Sequence, residues 1–166
     1  MSALGTLYFL IGKMGAGKTT FSAQFSKDDD VILISEDEWL NSLYPNEIHD
    51  FDDFLVRHHK LLKVLGPHVQ QILKSGSSVI LDFPANTKIS RQWYVSVANG
   101  VSAPHQAIYL HVTNDKCIEQ IAKRRQEQPL RAKFDTPQMF ERVTQYFEEP
   151  TEDEGICLQV IHSVDG

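Results

Sequence analysis

Short apolar runs alternate along the chain with segments whose apolar residues recur every three or four positions. The run TLYFLI over 6–11 is β-branched and aromatic with glycines on either side, and it predicts a buried strand. Phe21 and Phe25 lie four apart within 17–27, one face of a short helix. VILI over 31–34 predicts a second strand. Phe51, Phe54, Leu55, His58, Leu61, Leu62 and Leu65 then keep helical spacing as far as Gly66 and Pro67, and Val69, Ile72 and Leu73 resume it up to Gly76. That stretch is either two helices or one helix kinked at the proline. SVIL over 78–81 predicts a third strand, and Ile89, Trp93 and Val97 mark a helix after it. AIYLHV over 107–112 predicts a fourth strand, followed by a helix through Ile118 and Ile121. Thr136 and Pro137 suit the N-cap and first turn of a helix ending near Phe147, and CLQVI over 157–161 predicts the last strand. Strands alternating with helices imply an α/β class, with a mostly parallel five-stranded sheet covered on both faces in three layers. No repeat, low-complexity tract or linker divides 1–166, so one domain is expected.

Composition narrows the classes. The net charge of −6 argues against a protein whose main task is coating nucleic acid or anionic membrane. No apolar run approaches the roughly 20 residues that span a bilayer, and the first residues lack the basic-then-apolar pattern of a secretory signal. Cys117 and Cys157 form no C-x-x-C, so neither a disulfide framework nor a zinc site is suggested, and a reducing cytoplasm is the expected compartment.

The string GKMGAGKT over 12–19 satisfies G-x-x-x-x-G-K-[ST]. The bare pattern arises by chance in about one chain in a hundred of this length, but here it also sits between the first strand and the first helix, where its mechanism requires it. Gly12, Lys13, Met14, Gly15, Ala16, Gly17, Lys18, Thr19 and Thr20 are therefore expected to line a triphosphate. The glycines let backbone N–H groups turn toward phosphate, and the helix N-terminus adds a favourable dipole. Lys18 would reach the β- and γ-phosphates, and the Thr19 hydroxyl would ligate Mg²⁺. No [NT]-K-x-D guanine-reading string is present, since 113–116 reads TNDK, so ATP is the expected nucleotide.

Phosphoryl transfer needs a metal to neutralise phosphate charge and often a carboxylate to take the acceptor's proton. Asp82 closes the third predicted strand in the form of a Walker B aspartate, which would hold Mg²⁺; a turn cap is the alternative role. Asp37 follows a different strand end and is the expected general base, with helix capping as its alternative. Trp39 would floor an acceptor pocket or pack in the core, and Asn86 and Arg91 would orient acceptor or phosphate or serve a helix N-terminus.

Together the 12–19 loop, Asp37, the DFPAN string over 82–86, Arg91 and Arg124 resemble the small P-loop "predicted kinase" family. These are AAA-type ATP-binding domains whose relatives include polynucleotide 5′-kinases, chloramphenicol phosphotransferase and zeta-type toxins. The strings FDTPQMF over 134–140 and YFEEPTEDEG over 146–155 are similar to that family's C-terminal stretch, so the likeness covers nearly the whole chain. It implies a P-loop NTPase fold in the P-loop kinase strand order, a base at Asp37, and a mobile lid over about 124–134 whose Arg124 contacts ATP. Two departures stand out. Leu40 occupies the place of an acceptor-phosphate arginine in polynucleotide kinases, and Gln120 occupies the first place of an R-x-x-x-R lid pattern, leaving Arg124 with Arg125 beside it. Both favour a small, neutral or weakly polar hydroxyl acceptor over a nucleic-acid 5′-end.

The segment 115–133 carries a charge of +3, which suits a lid over triphosphate, and Pro129 favours a loop there that can move. Residues 135–166 carry eight acids against Arg142 alone and read as a solvated face with an acidic turn. His58 continues an apolar stripe, as a core histidine does, and no H-x-x-x-H suggests a metal. The expected activity is ATP- and Mg²⁺-dependent transfer of phosphate to a small hydroxyl compound. Its rivals are a nucleic-acid or nucleoside 5′-hydroxyl kinase and an ATP-binding regulatory module. The oligomeric state is not written in the sequence.

Overall fold

The computed structural model describes residues 3–132 and 134–162. Strand β1 (Leu7–Ile11) is apolar throughout because helices cover the sheet on both sides. Its side chains alternate: Leu7, Phe9 and Ile11 enter one core cluster, Leu10 the other. The same alternation splits Val79 and Leu81 from Ile80 in β3 (Val79–Asp82), and Ala107 and Tyr109 from Ile108 and Leu110 in β4 (His105–His111). With β2 (Ile32–Ser35) and β5 (Leu158–His162) these strands form a five-stranded, all-parallel sheet of order β2-β3-β1-β4-β5. Chain order reverses around β1, so the crevice beyond its carboxyl end is where such a sheet binds ligands.

One face is covered by α2 (Glu36–Leu43), α3 (Phe51–Lys74) and α4 (Lys88–Asn99), the other by α1 (Lys18–Asp28), α5 (Asn114–Glu127) and α6 (Pro137–Thr144). Most helix starts are written locally. Ser35, Asp50, Thr87, Thr113 and Thr136 each accept a backbone N–H of the first turn, and Pro137 occupies the first turn of α6. Among the described residues no helix is long and apolar enough to cross a membrane.

Of the two alternatives for the 51–73 region, the fold takes the single helix, which contains Pro67 and is held by a buried inner row of Leu61, Leu65, Val69 and Leu73. Buried Gly66 lies on the side of this helix that faces Trp93 and Val97 of α4. Two other local expectations are corrected. Ile89 does not mark the inner face of α4: it is exposed, and Arg91, Tyr94, Val97 and Ala98 face inward. Helix α6 stops at Thr144, which frees Phe147 to lie against Tyr109 and under the Lys13 ammonium.

Candidate functional site

The loop after β1 turns twice through left-handed backbone, at Gly15 (φ 80°) and Gly17 (φ 95°), where a side chain would be strained. A Cβ on Gly15 would also lie 2.6 Å from the Cys117 carbonyl, so α5 packs directly on the loop. Gly17 caps α1 without a side-chain hydrogen bond, leaving first-turn N–H groups for an anion. The Gly12 N–H donates to Asn86 Oδ1 at 3.1 Å, and the Ala16 N–H to the Lys13 carbonyl at 3.0 Å. Lys18 Nζ folds back onto the loop, donating to the carbonyls of Gly12 (2.5 Å) and Lys13 (3.1 Å). Burial lowers its pKa to about 8, against the upward pull of the Asp82 carboxylate. Asp82, at the end of β3, lies near the Thr19 hydroxyl; burial raises its pKa, partly offset by Thr19 and Lys18. The fold thus gathers Lys18, Thr19 and Asp82 from two adjacent strand ends.

Asp37 stands in the first turn of α2, but Ser35 is the cap, its hydroxyl accepting from the Glu38 N–H at 3.5 Å. The Asp37 carboxylate is exposed and lies 3.4 Å from Arg131 Nη1, and its charge is felt at both Lys18 and Asp82. Next to it in the chain, Glu36 is buried against the His58 ring, which itself stacks on Phe54. Burial raises the Glu36 pKa while His58 opposes the rise. His58 is the core histidine its place in the apolar stripe predicts.

Across the loop, Arg124 Nε and Nη2 donate to Asp135 Oδ2 (2.9 Å) and Oδ1 (2.6 Å), and Arg131 Nε donates to Asp135 Oδ2 at 3.1 Å. The charge of Arg124 is felt at Lys18, whereas Arg125 lines a separate groove of about 470 Å³ with Ile118, Ile121 and Pro129. Within the expected lid, Pro129–Arg131 forms a 3-10 turn, and Lys133 lies outside the described residues. Thr20 is exposed in the first turn of α1; Met14 packs on the core, and Ala16 is buried in it. Lys13 Nζ donates to Asn114 Oδ1 at 2.8 Å, at the start of α5.

Three expected acceptor residues are placed elsewhere. Asn86 braces the loop through Gly12, and its own carbonyl accepts from the Glu148 N–H at 2.8 Å. Arg91 is fully buried, with all three guanidinium nitrogens engaged: Nε and Nη2 on Glu154 (2.7 and 3.2 Å) and Nη1 on the Ala85 carbonyl (2.9 Å). Trp39 lines a groove of about 690 Å³ between α2 and α3 with Leu43, Tyr44 and Val64. Residues two apart on a helix point about 200° apart, so that groove opens on the side of α2 away from Asp37. The reading of 135–166 as a solvated face also fails for Asp135 and Glu154, both buried ion-pair partners. The one local signal for Asp135 was its spacing of four from Arg131.

The profile of a family described as "AAA domain" matches residues 7–150. In structure, the chain is similar to a candidate kinase from Chloroflexus aurantiacus j-10-fl (TM-score 0.73, 20% identity, covering 96% of this chain and 86% of that one). It is also similar to Chaetomium thermophilum Kti12 in complex with ADP-AlF3 (TM-score 0.67, 19% identity, 96% and 90%). A third likeness is to the Mycobacterium tuberculosis APS kinase CysC in complex with AMPPNP and APS (TM-score 0.63, 13% identity, 96% and 89%). These likenesses establish a P-loop kinase-like fold. No curated protein matches the chain by sequence.

Proposed function

The chain belongs to the AAA domain family, and on that premise we propose that it transfers the γ-phosphate of ATP to a hydroxyl of a small molecule. The observation that carries this reading is the meeting of Lys18, Thr19 and Asp82 with a second, uncapping carboxylate, Asp37, at the carboxyl edge of the sheet. A protein that only binds nucleotide needs the first three, whereas a carboxylate placed as Asp37 is can also take a proton from an acceptor. Thr19 and Asp82 offer adjacent oxygen donors, the hard ligands that suit Mg²⁺ beside a polyphosphate. Bound there, the ion would neutralise phosphate charge.

The remaining work falls to the chain's own groups. The amides of the 12–17 loop and the start of α1 hold the β- and γ-phosphates, and Lys18 exchanges the Gly12 and Lys13 carbonyls for phosphate oxygen. The acceptor oxygen attacks the γ-phosphorus, the bond from that phosphorus to the ADP oxygen breaks, and the acceptor proton passes to Asp37. Arg124, whose charge is felt at Lys18, stabilises charge on the transferring group. Leu40, one turn beyond Asp37, is buried in the core, so no cation for an acceptor phosphate stands there. This supports a small hydroxyl compound rather than a nucleic-acid 5′-end.

ATP consumption measured against sugars, aminoglycoside- and phenicol-type alcohols, nucleosides and oligonucleotides tests both parts. One class should stimulate turnover, and Asp37→Asn should lower that turnover by about 10²- to 10⁴-fold while leaving MgADP affinity within about twofold. Retention of acceptor phosphorylation in the Asp37→Asn protein would remove Asp37 from the mechanism.

A further inference from the structure

Asp135 lies just before α6, and its carboxylate is completely shielded from solvent between two arginines that are each about one-third exposed (28% and 33%). A buried carboxylate is costly unless paired, and this one is paired twice. Arg124 grips both of its oxygens, Arg131 takes one of them through Nε, and the Asp135 backbone N–H donates to the Arg131 carbonyl at 2.8 Å. Each arginine keeps one end uncommitted to Asp135. Arg131 turns Nη1 to Asp37, 3.4 Å away. Nη1 of Arg124 has no hydrogen-bond partner among the described residues, and the charge of that arginine reaches Lys18. Arg131 thus reaches the expected base while the charge of Arg124 is felt at Lys18, and a single carboxylate holds both guanidinium groups.

We propose that Asp135 is the positioning residue of the lid, which sets Arg124 and Arg131 in a fixed relation across the γ-phosphate so that the two act as one unit. The proposal rests on the phosphotransferase reading above. Two arginines brought this close repel each other, and the carboxylate between them removes that cost before any ligand arrives. The arrangement is electrically balanced without nucleotide: two guanidinium groups face the carboxylates of Asp135 and Asp37. A γ-phosphate competes with Asp37 for the free end of Arg131, whereas the grip on Asp135 is retained. Filling the γ-site thus releases the Asp37 carboxylate at the moment it is needed, and the lid is tied to the phosphate that distinguishes ATP from ADP. A carboxylate serving only to staple α6 to α5 would have no influence on that distinction.

Binding of MgADP and of MgAMPPNP, measured by calorimetry, separates these roles without an acceptor. Asp135→Asn keeps the shape but loses the charge. It should leave MgADP affinity within about twofold and lower the preference for MgAMPPNP over MgADP by about tenfold, the size of one or two charge-assisted hydrogen bonds. Arg131→Gln should lower the same ratio, and Arg131→Lys should recover part of it. An unchanged ratio in Asp135→Asn, or an equal loss for both nucleotides, overturns the proposal. Should Asp135→Asn fail to fold, the part-exposed Arg131→Gln carries the same test, and an unchanged ratio there overturns it equally. A wild-type protein that binds neither nucleotide refutes the phosphotransferase reading first, and this inference with it.

Discussion

Lys18 shows how one residue couples the loop to its ligand. Its ammonium donates to two loop carbonyls, yet burial away from solvent lowers its pKa from 10.5 to about 8 despite the Asp82 carboxylate nearby. Because the charged form is penalised in the fold, burying it costs stability below about pH 8, and the cost eases as pH rises from there toward 10.5. Phosphate reverses the balance by supplying a full negative charge. Above pH 8, MgADP binding should therefore take up a proton, and affinity should fall with pH by up to about tenfold per unit. Calorimetry at pH 8.5 to 9 in two buffers of different ionisation enthalpy reads this directly, and a buffer-independent enthalpy would show that the lysine was already charged. Lys18, Thr19 and Asp82 were legible in the sequence because loop spacing and a strand end are local features. Asn86 and Arg91 were found at an informative place, but their partners, Gly12 and Glu154, lie 74 and 63 positions away. Nothing in the local pattern distinguishes a buttress from a ligand.

At the scale of elements, helix α4 shows where periodicity misleads. Counting apolar positions put Ile89 on its buried face, whereas the face is led by a charged residue, Arg91, which is fully buried. A pattern search discards charge from the core, so it cannot see a helix docked by an ion pair. The partner Glu154 closes a short turn over Glu152–Glu154, where its carboxylate also accepts the Thr151 N–H at 2.7 Å. The pair thereby fastens the link between α6 and β5 onto α4. Glu154→Gln would strand a buried guanidinium and should cost about 3–5 kcal/mol, a fall in Tm of roughly 10 °C for a domain of this size. Burial alone would raise the Glu154 pKa, but the hydrogen bonds from Arg91 and the Thr151 N–H together with the charges of Arg91 and Lys88 outweigh it and hold it below the usual carboxylate value. With the folded pKa depressed, this stabilisation is present above the unfolded pKa and is lost as pH falls through the folded one. Denaturation by urea between pH 3 and 7 should show the wild-type acid limb flattened in Glu154→Gln, and identical limbs would mean the pair contributes nothing. The same distance problem hid Asp135: its partner Arg124 sits on another element, and in the sequence Asp135 merges with an acidic tail.

For the whole molecule, the net charge of −6 is an average over unlike regions, +3 in 115–133 and −7 in 135–166. Taken from the sequence, the basic segment suits a lid over triphosphate. In the fold its arginines are largely committed, Arg124 and Arg131 to Asp135 and Asp37, and Arg91 elsewhere to Glu154, while Lys13 is held by Asn114 and Phe147. The loop amides of 12–17 and Lys18 are the groups left to meet phosphate under the proposed function. Single-stranded nucleic acid binds through many phosphates, with log K falling by about 0.7 per contacted phosphate for each tenfold rise in salt. A labelled 5′-hydroxyl oligonucleotide of about 20 nucleotides should accordingly show no salt-dependent association between 50 and 200 mM salt by fluorescence anisotropy. MgADP at about a hundred times its Kd should meanwhile stabilise the protein by about 2.7 kcal/mol, raising Tm by roughly 5–10 °C. Lys18→Ala should remove most of that rise. A salt slope equivalent to four or more phosphates would mean that the lid opens to expose its arginines to a strand, and the acceptor would then be sought among nucleic-acid ends.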